Sequence, residues 1–204
     1  MMNIRRIFSI ALLAMVTAFS AFAAGNEAKT LVDNAVKKLK SAGSVSVAFT
    51  ISQNGGTQTG HLTISGKRFA IQSAEARIWF DGRTQWTYSV QGNEVDITTP
   101  TTAELAQSNP MSVLTAAQGD YRMKLLSSGA RPRVELTPTK SADFKRAIVT
   151  FGSAGMPSQI VVTDNNNATT TIAISQLKTG GKLGVNAFRF NPKDFPGVEV
   201  VDLR

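Results

Sequence analysis

A single histidine, His61, and two acids separated by one residue, Glu94 and Asp96, are the side chains of this 204-residue sequence whose types suit acid–base chemistry. Neither is placed for it. His61 is out of phase with the apolar Leu62 and Ile64, which turns its ring to solvent. Val95 and Ile97 take the apolar side of their strand and leave both carboxylates on the solvated one. There is no G-x-S-x-G elbow. Gly180-Gly181-Lys182 lacks the spacing of a phosphate loop. With no cysteine there is neither thiol chemistry nor a cysteine metal site. No catalytic residue and no metal-ligand set emerges, so an enzyme is not expected, nor a cofactor. What the chain does concentrate is apolar contact. Residues 77–88, RIWFDGRTQWTY, hold both tryptophans and one of the two tyrosines. Such a segment is either a well-packed hairpin or a wall that touches an apolar guest.

These residues sit in a chain of two periods. Ala28, Leu31, Val32, Ala35, Val36 and Leu39 recur at helical spacing, with Lys29, Asp33, Lys37 and Lys38 opposite, which predicts an N-terminal amphipathic helix. Gly25 or Asn26 can cap it, and Ser41-Ala42-Gly43 ends it. The period then changes to two. Val45, Val47, Phe49 and Ile51 open a run of short strands continued by Leu62/Ile64, Phe69/Ile71, Ile78/Phe80, Trp86/Tyr88 and Val95/Ile97. Asn54-Gly55-Gly56 and Asp81-Gly82 mark turns within it. Asn109-Pro110 starts a second, short helix over 110–117. Strands resume with Tyr121/Met123/Leu125, Val134/Leu136, Ile148/Phe151, Ile160–Thr163 and Thr170–Ile174, and Phe188 and Phe190 form a last pair. About eleven short strands joined by tight turns predict one large antiparallel sheet, which twist obliges to curl.

One face of such a sheet is apolar and must be covered. A long amphipathic helix and one or two short ones cannot fill a wide concave sheet. Either the sheet closes on itself or the helices roof a space able to take an apolar guest. Each buried methylene is worth about 0.8 kcal/mol, so a fully sheltered sixteen-carbon chain gains on the order of 12 kcal/mol. A carrier must realise less than that, or release is too slow. On alternation alone, Trp86 and Tyr88 are expected on the wall of this space together with Phe80, and Trp79, of opposite parity to Phe80, on the convex side or at the rim.

The N-terminus reads as an export signal. Arg5 and Arg6 precede the apolar run Ile7–Val16, and Ala21-Phe22-Ala23 closes it in the A-x-A manner. The expected organisation is a signal peptide over 1–23 and a single domain over 24–204. The alternative is a retained N-terminal anchor helix. About 180 residues suit one domain with a real core. The missing cysteine removes the lipidation site of a bacterial lipoprotein. The formal charge of +8 is spread over scattered pairs such as Lys37-Lys38, Lys67-Arg68 and Lys145-Arg146. No run resembles a phosphate-binding arm, so no nucleic-acid partner is expected. The excess fits a solvated surface, and also a chain working near anionic membranes or acidic partners.

Several segments together resemble the periplasmic lipoprotein carrier (LolA) family: Val47-Ala48-Phe49-Thr50 after the helix, Gly60-His61-Leu62, the hairpin Phe80-Asp81-Gly82-Arg83-Thr84-Gln85-Trp86-Thr87-Tyr88, Asn109-Pro110-Met111-Ser112-Val113-Leu114, Val134-Glu135-Leu136-Thr137-Pro138, Phe188-Arg189-Phe190-Asn191-Pro192, and residues 196–202. The resemblance covers nearly all of the chain after the signal. It implies a mainly β fold, an open, half-closed antiparallel barrel with helices as a lid over a hydrophobic cavity. It implies a monomeric periplasmic carrier that holds acylated lipoproteins, taking them from an inner-membrane ABC transporter complex to an outer-membrane acceptor without a cofactor. It places Phe49, Ile51, Leu62, Ile64, Phe69, Ile71, Phe80, Trp86, Tyr88, Met111 and Leu114 around the acyl chains. The family's lid-holding arginine precedes a proline. Here Ser65-Gly66-Lys67-Arg68-Phe69 has none, and Arg68 stands nearest that position. The alternative within the same fold is a periplasmic regulatory module that senses lipid or binds a glycolipid, although such relatives usually carry a second domain.

Overall fold

The helical spacing and the alternation are both realised, and they meet across one core. The computed structural model describes residues 26–101, 121–142, 144–152 and 154–204. The helix α1 (Asn26–Ser41) is followed by β1 (Ser44–Gln53), β2 (Gly56–Ser65), β3 (Arg68–Ser73), β4 (Ala76–Phe80), β5 (Gln85–Ser89) and β6 (Glu94–Thr98). After residues 102–120 come β7 (Tyr121–Ser127), β8 (Arg133–Pro138), β9 (Phe144–Phe151), β10 (Pro157–Asp164), β11 (Thr169–Gly180) and β12 (Glu199–Asp202). The helix expected over 110–117, with Met111 and Leu114, lies outside the described residues, as does the expected signal segment.

The strands form one sheet in the order β12-β6-β5-β4-β3-β2-β1-β11-β10-β9-β8-β7. The order does not close on itself, so the architecture is an open half-barrel with α1 across one face. It has twelve strands rather than about eleven. The twelfth, β12, departs from the antiparallel rule: it runs parallel to β6, Val200 opposite Val95. Phe188, expected in a strand, lies instead in a short 3-10 turn, Val185–Phe188.

The face under α1 (the inner face) carries the main core. Ala28, Val32, Ala35 and Val36 of the helix pack into it. Val47, Phe49 and Ile51, Leu62, Phe69 and Ile71, Ile78 and Phe80 form one wing, and Val134, Leu136, Val149, Ile160 and Ile172 the other. The β1–β2 turn is the two-residue kind that Asn54-Gly55 predicts: both have positive φ, 49° and 78°, and Gln53 pairs with Gly56. Gly60, in the middle of β2, stands opposite Phe49. A Cβ there would lie 2.5 Å from the Phe49 ring and 2.5 Å from the Gln72 carbonyl oxygen, so the bare backbone is what lets the ring lie flat on the sheet.

Between β4 and β5 the apolar side of the sheet changes over. The loop joining them has four residues, closed by the Asp81 N–H donating to the Thr84 carbonyl. An even-numbered loop pairs residues of opposite parity: Phe80 faces Gln85, Trp79 faces Trp86, Ile78 faces Thr87 and Arg77 faces Tyr88. On β5 and β6 the inner face is therefore polar, with Gln85, Thr87, Asp96 and Glu94. The outer face is apolar, with Trp86, Tyr88, Val95 and Ile97. The expectation that Trp86 and Tyr88 share the face of Phe80 is thus corrected: they belong to the other side of the sheet. There a second core gathers Ala70, Trp79, Tyr88, Val95, Phe188 and Phe195, with Trp86, Phe190 and Val198 against it. Trp79 goes to the convex side, and β4, apolar at three consecutive positions, is buried on both faces.

The cover of this outer core is the chain after β11, a strap over residues 181–198. Phe195 meets Tyr88 at 4.6 Å, Phe190 at 5.0 Å and Trp79 at 5.7 Å between ring centroids. The Arg77 guanidinium lies 5.3 Å from the Phe195 ring. Asn93 fastens the strap: its amide accepts from the Tyr88 hydroxyl at 3.1 Å and donates to the Gly197 carbonyl at 2.9 Å, and its backbone carbonyl accepts from Glu199 N–H at 2.9 Å. The strap leads directly into β12.

Candidate functional site

The C-terminal half of α1 does not reach the sheet floor everywhere. Between it and β1, β2 and β11 lies a cavity of about 540 Å³, within the roughly 300–1,000 Å³ usual for small-molecule sites. Its apolar wall is Val36 and Leu39 from the helix, Val45 and Val47 from β1, Leu62 and Ile64 from β2, and Pro157, Ile174 and Leu177 from β10 and β11. Val47 and Leu62 are fully buried floor, whereas Leu39, Val45, Ile64, Ile174 and Leu177 are only half-buried. These side chains line a space that the described residues do not fill. Lys40, Lys67, Arg68 and Lys182 complete the wall, with Asp81 the one acid among them.

Two backbone contacts hold the mouth. Gly43, between α1 and β1, touches the chain beyond β11 so closely that a Cβ would lie 2.5 Å from the Lys182 nitrogen. The Ser65 hydroxyl, almost wholly buried, donates to the Gly43 carbonyl at 2.7 Å and accepts from Leu183 N–H at 3.4 Å. Gly43 follows the helix, and this close approach is what its missing side chain permits.

Arg68 lies in the cavity wall with its guanidinium 5.3 Å from the centre of the Phe188 ring, the first aromatic of the strap. Beside it, Asp81 Oδ1 accepts from the N–H groups of Arg83 and Thr84, both at 3.0 Å, and Oδ2 pairs with Arg189 Nε at 2.8 Å. The cavity rim and the strap are thus joined at two points. Burial acts to raise the Asp81 pKa, but the Thr84 N–H, Arg189 and the Arg83 N–H together outweigh it and hold the carboxyl below its ordinary value. A depressed folded pKa stabilises the protein above the unfolded value near 3.9, and the gain is lost as pH falls through the folded value. Asp81→Asn keeps the Oδ1 acceptor and loses the ion pair. Arg189 is half exposed, so the wild type should exceed this variant by less than about 1 kcal/mol near neutrality. In urea titrations that difference should stay level down to about pH 4 and shrink below it. A difference that does not change between pH 6 and pH 2.5 would refute the assignment.

Of the residues expected around a guest, Leu62 and Ile64 line the cavity. Phe49, Ile51, Phe69, Ile71 and Phe80 share the inner face but lie in packed core beside it. Trp86 and Tyr88 lie on the opposite face, and Met111 and Leu114 lie outside the described residues. Val36, Leu39, Val45, Val47, Ile174 and Leu177 show in the sequence only as helix stripe or strand face. Those patterns are visible there, but the meeting of the residues depends on β1 pairing with both β2 and β11. His61 is exposed on the outer face, as its parity required. Among the described residues no cluster of His, Asp or Glu could hold a metal, and no helix is long and apolar enough to cross a membrane.

Comparison with known proteins points the same way. The family model described as outer membrane lipoprotein carrier protein LolA matches residues 18–165, well over half of the chain. No curated protein matches it. Among solved structures, an uncharacterized conserved protein from Thermus thermophilus superposes with a TM-score of 0.57 at 14% identity, covering 87% of this chain and 99% of that one. That likeness is one of fold. The Pseudomonas aeruginosa MucA/MucB complex gives 0.47 at 11% identity over 80% of this chain and 61% of that one. The Mycobacterium tuberculosis lipoprotein LppX gives 0.42 at 13% identity over 76% and 96%.

Proposed function

The chain belongs to the family of the outer membrane lipoprotein carrier protein LolA, and from this premise we propose that it is a periplasmic carrier of acyl chains. In this reading it receives lipoproteins from an inner-membrane ABC transporter complex and yields them to an outer-membrane acceptor. The observation that carries the reading is the apolar cavity of about 540 Å³ under α1, with five half-buried aliphatic side chains in its wall.

Carriage needs no chemical step, and the energetics follow from the wall. Each methylene sheltered there is worth about 0.8 kcal/mol. Because much of the wall stays half open, the chain gains only part of the full-burial value, which keeps dissociation within reach of a receiving partner. Arg68, joined to the strap through Phe188, is the wall residue through which cavity and strap would respond to each other. The protein acts as a binding module rather than an enzyme, and one-to-one transfer suits a monomer.

Purification from the native envelope, followed by organic extraction and mass spectrometry, tests this. The expected result is an acylated lipoprotein or its lipid in the extract, and a melting temperature that rises with added lipopeptide. A protein that extracts empty and is indifferent to lipopeptide refutes acyl carriage. Depletion that leaves lipoproteins normally sorted refutes the shuttle.

A further inference from the structure

We propose that the cavity selects amphiphiles with an anionic headgroup, carboxylate or phosphate, held at a mouth built from Lys40 and Lys182. The inference rests on the acyl-chain part of the reading above, not on a lipoprotein as the cargo, and adds what the other end of a lipid guest must be.

Two separate stretches bring these lysines together. Lys40 comes from the last turn of α1 and Lys182 from the start of the strap. Both are exposed, whereas Val47 and Leu62 on the same wall are buried. The cavity thus has an oily end and a cationic, wet end. The one acid in the wall does not cancel that charge. Asp81 turns one oxygen to two backbone N–H groups and the other to Arg189, which is not part of the wall. Arg68 is likewise engaged, stacked on Phe188. The charges border a low-dielectric surface, which concentrates their field at the opening. Lysine meets carboxylate or phosphate as a movable point charge, which suits a headgroup resting at a water-filled mouth. A guest with a neutral polar end would leave this arrangement unused.

The purified protein is titrated at low salt with three single-chain ligands of equal chain length: palmitate, palmitoyl lysophosphatidate and monopalmitoylglycerol. At least one anionic ligand should bind about tenfold or more tightly than the neutral one, and the margin should narrow as salt rises. Which anionic ligand gains more distinguishes carboxylate from phosphate. In Lys40→Glu/Lys182→Glu, both positions being exposed, the margin of anionic over neutral affinity should fall about tenfold or more. Equal affinity for all three in the wild type overturns the headgroup inference and leaves the acyl-chain reading intact. An unchanged anionic margin in the double variant also overturns it. Binding of none of the three removes the acyl-chain reading itself.

Discussion

Ile174→Trp is expected to lower acyl-chain affinity by about 100-fold without unfolding the protein. Ile174 sits on β11 opposite Phe49, on the inner face, half-buried, with its side chain in the cavity wall. An indole there grows into open space rather than into packed core, so the overpacking cost of about 1–3 kcal/mol that a filled interior would impose is largely avoided. The ring occupies room that a guest would use. Excluding about four methylenes at about 0.8 kcal/mol each removes roughly 3 kcal/mol, or two decades in dissociation constant. Titration with a lipopeptide or a fluorescent acyl chain reads the affinity, and thermal melting guards against unfolding. Wild-type affinity in a folded Trp variant would mean that acyl chains lie elsewhere. Because the substituted side chain is apolar and carries no charge, this result is independent of any headgroup preference.

Phe195→Ala is expected to produce the opposite combination: a large loss of stability with acyl binding retained. Phe195 touches Trp79, Tyr88, Phe190 and the Arg77 guanidinium on the outer face. Truncating a buried aromatic costs about 3–5 kcal/mol, which in a chain of this size lowers the melting temperature by roughly 10 °C. The damage should be local first. The strap over 181–198 and β12 depend on this ring and on Asn93 for their seat, so both should gain hydrogen exchange and protease cleavage. The wing from β7 to β11 shares no residue with the outer core and should keep its protection. If Phe195→Ala instead abolished acyl binding while the strap stayed protected, the outer aromatic cluster would be part of the binding site.

These two variants separate the two sides of the sheet, and the sides were not equally legible. The helix stripe Ala28/Val32/Ala35/Val36 and the alternation of β1 are local patterns, and each appears where its spacing placed it. So does the turn at Asn54-Gly55, because positive φ at two successive positions is a demand that Asn-Gly meets by itself. Alternation states which residues of one strand share a face. It does not state which face of the next strand they join. At residues 81–84 that depends on loop length, and four residues put Trp86 beside Trp79 instead of Phe80. The count could have been made from the sequence, since two-residue and four-residue loops both reverse the parity. What the sequence could not supply was a reason for an apolar outer face, since its cover lies about a hundred residues downstream. The Asp81–Arg189 pair and the Asn93–Gly197 bond span 108 and 104 residues.

The sequence by itself determined the periods, and with them a β-rich chain behind an N-terminal amphipathic helix. These are short-range properties, written in neighbours two, three and four residues apart. Tertiary structure decided where the unfilled space lies, that aliphatic residues of α1, β1, β2 and β11 wall it, that the aromatic hairpin turns its tryptophans away from it, and that the distant Lys40 and Lys182 meet at its mouth. Each of those is a statement about partners rather than periods. Partners are settled only when the strap, the sheet order and the helix compete for the same apolar surface.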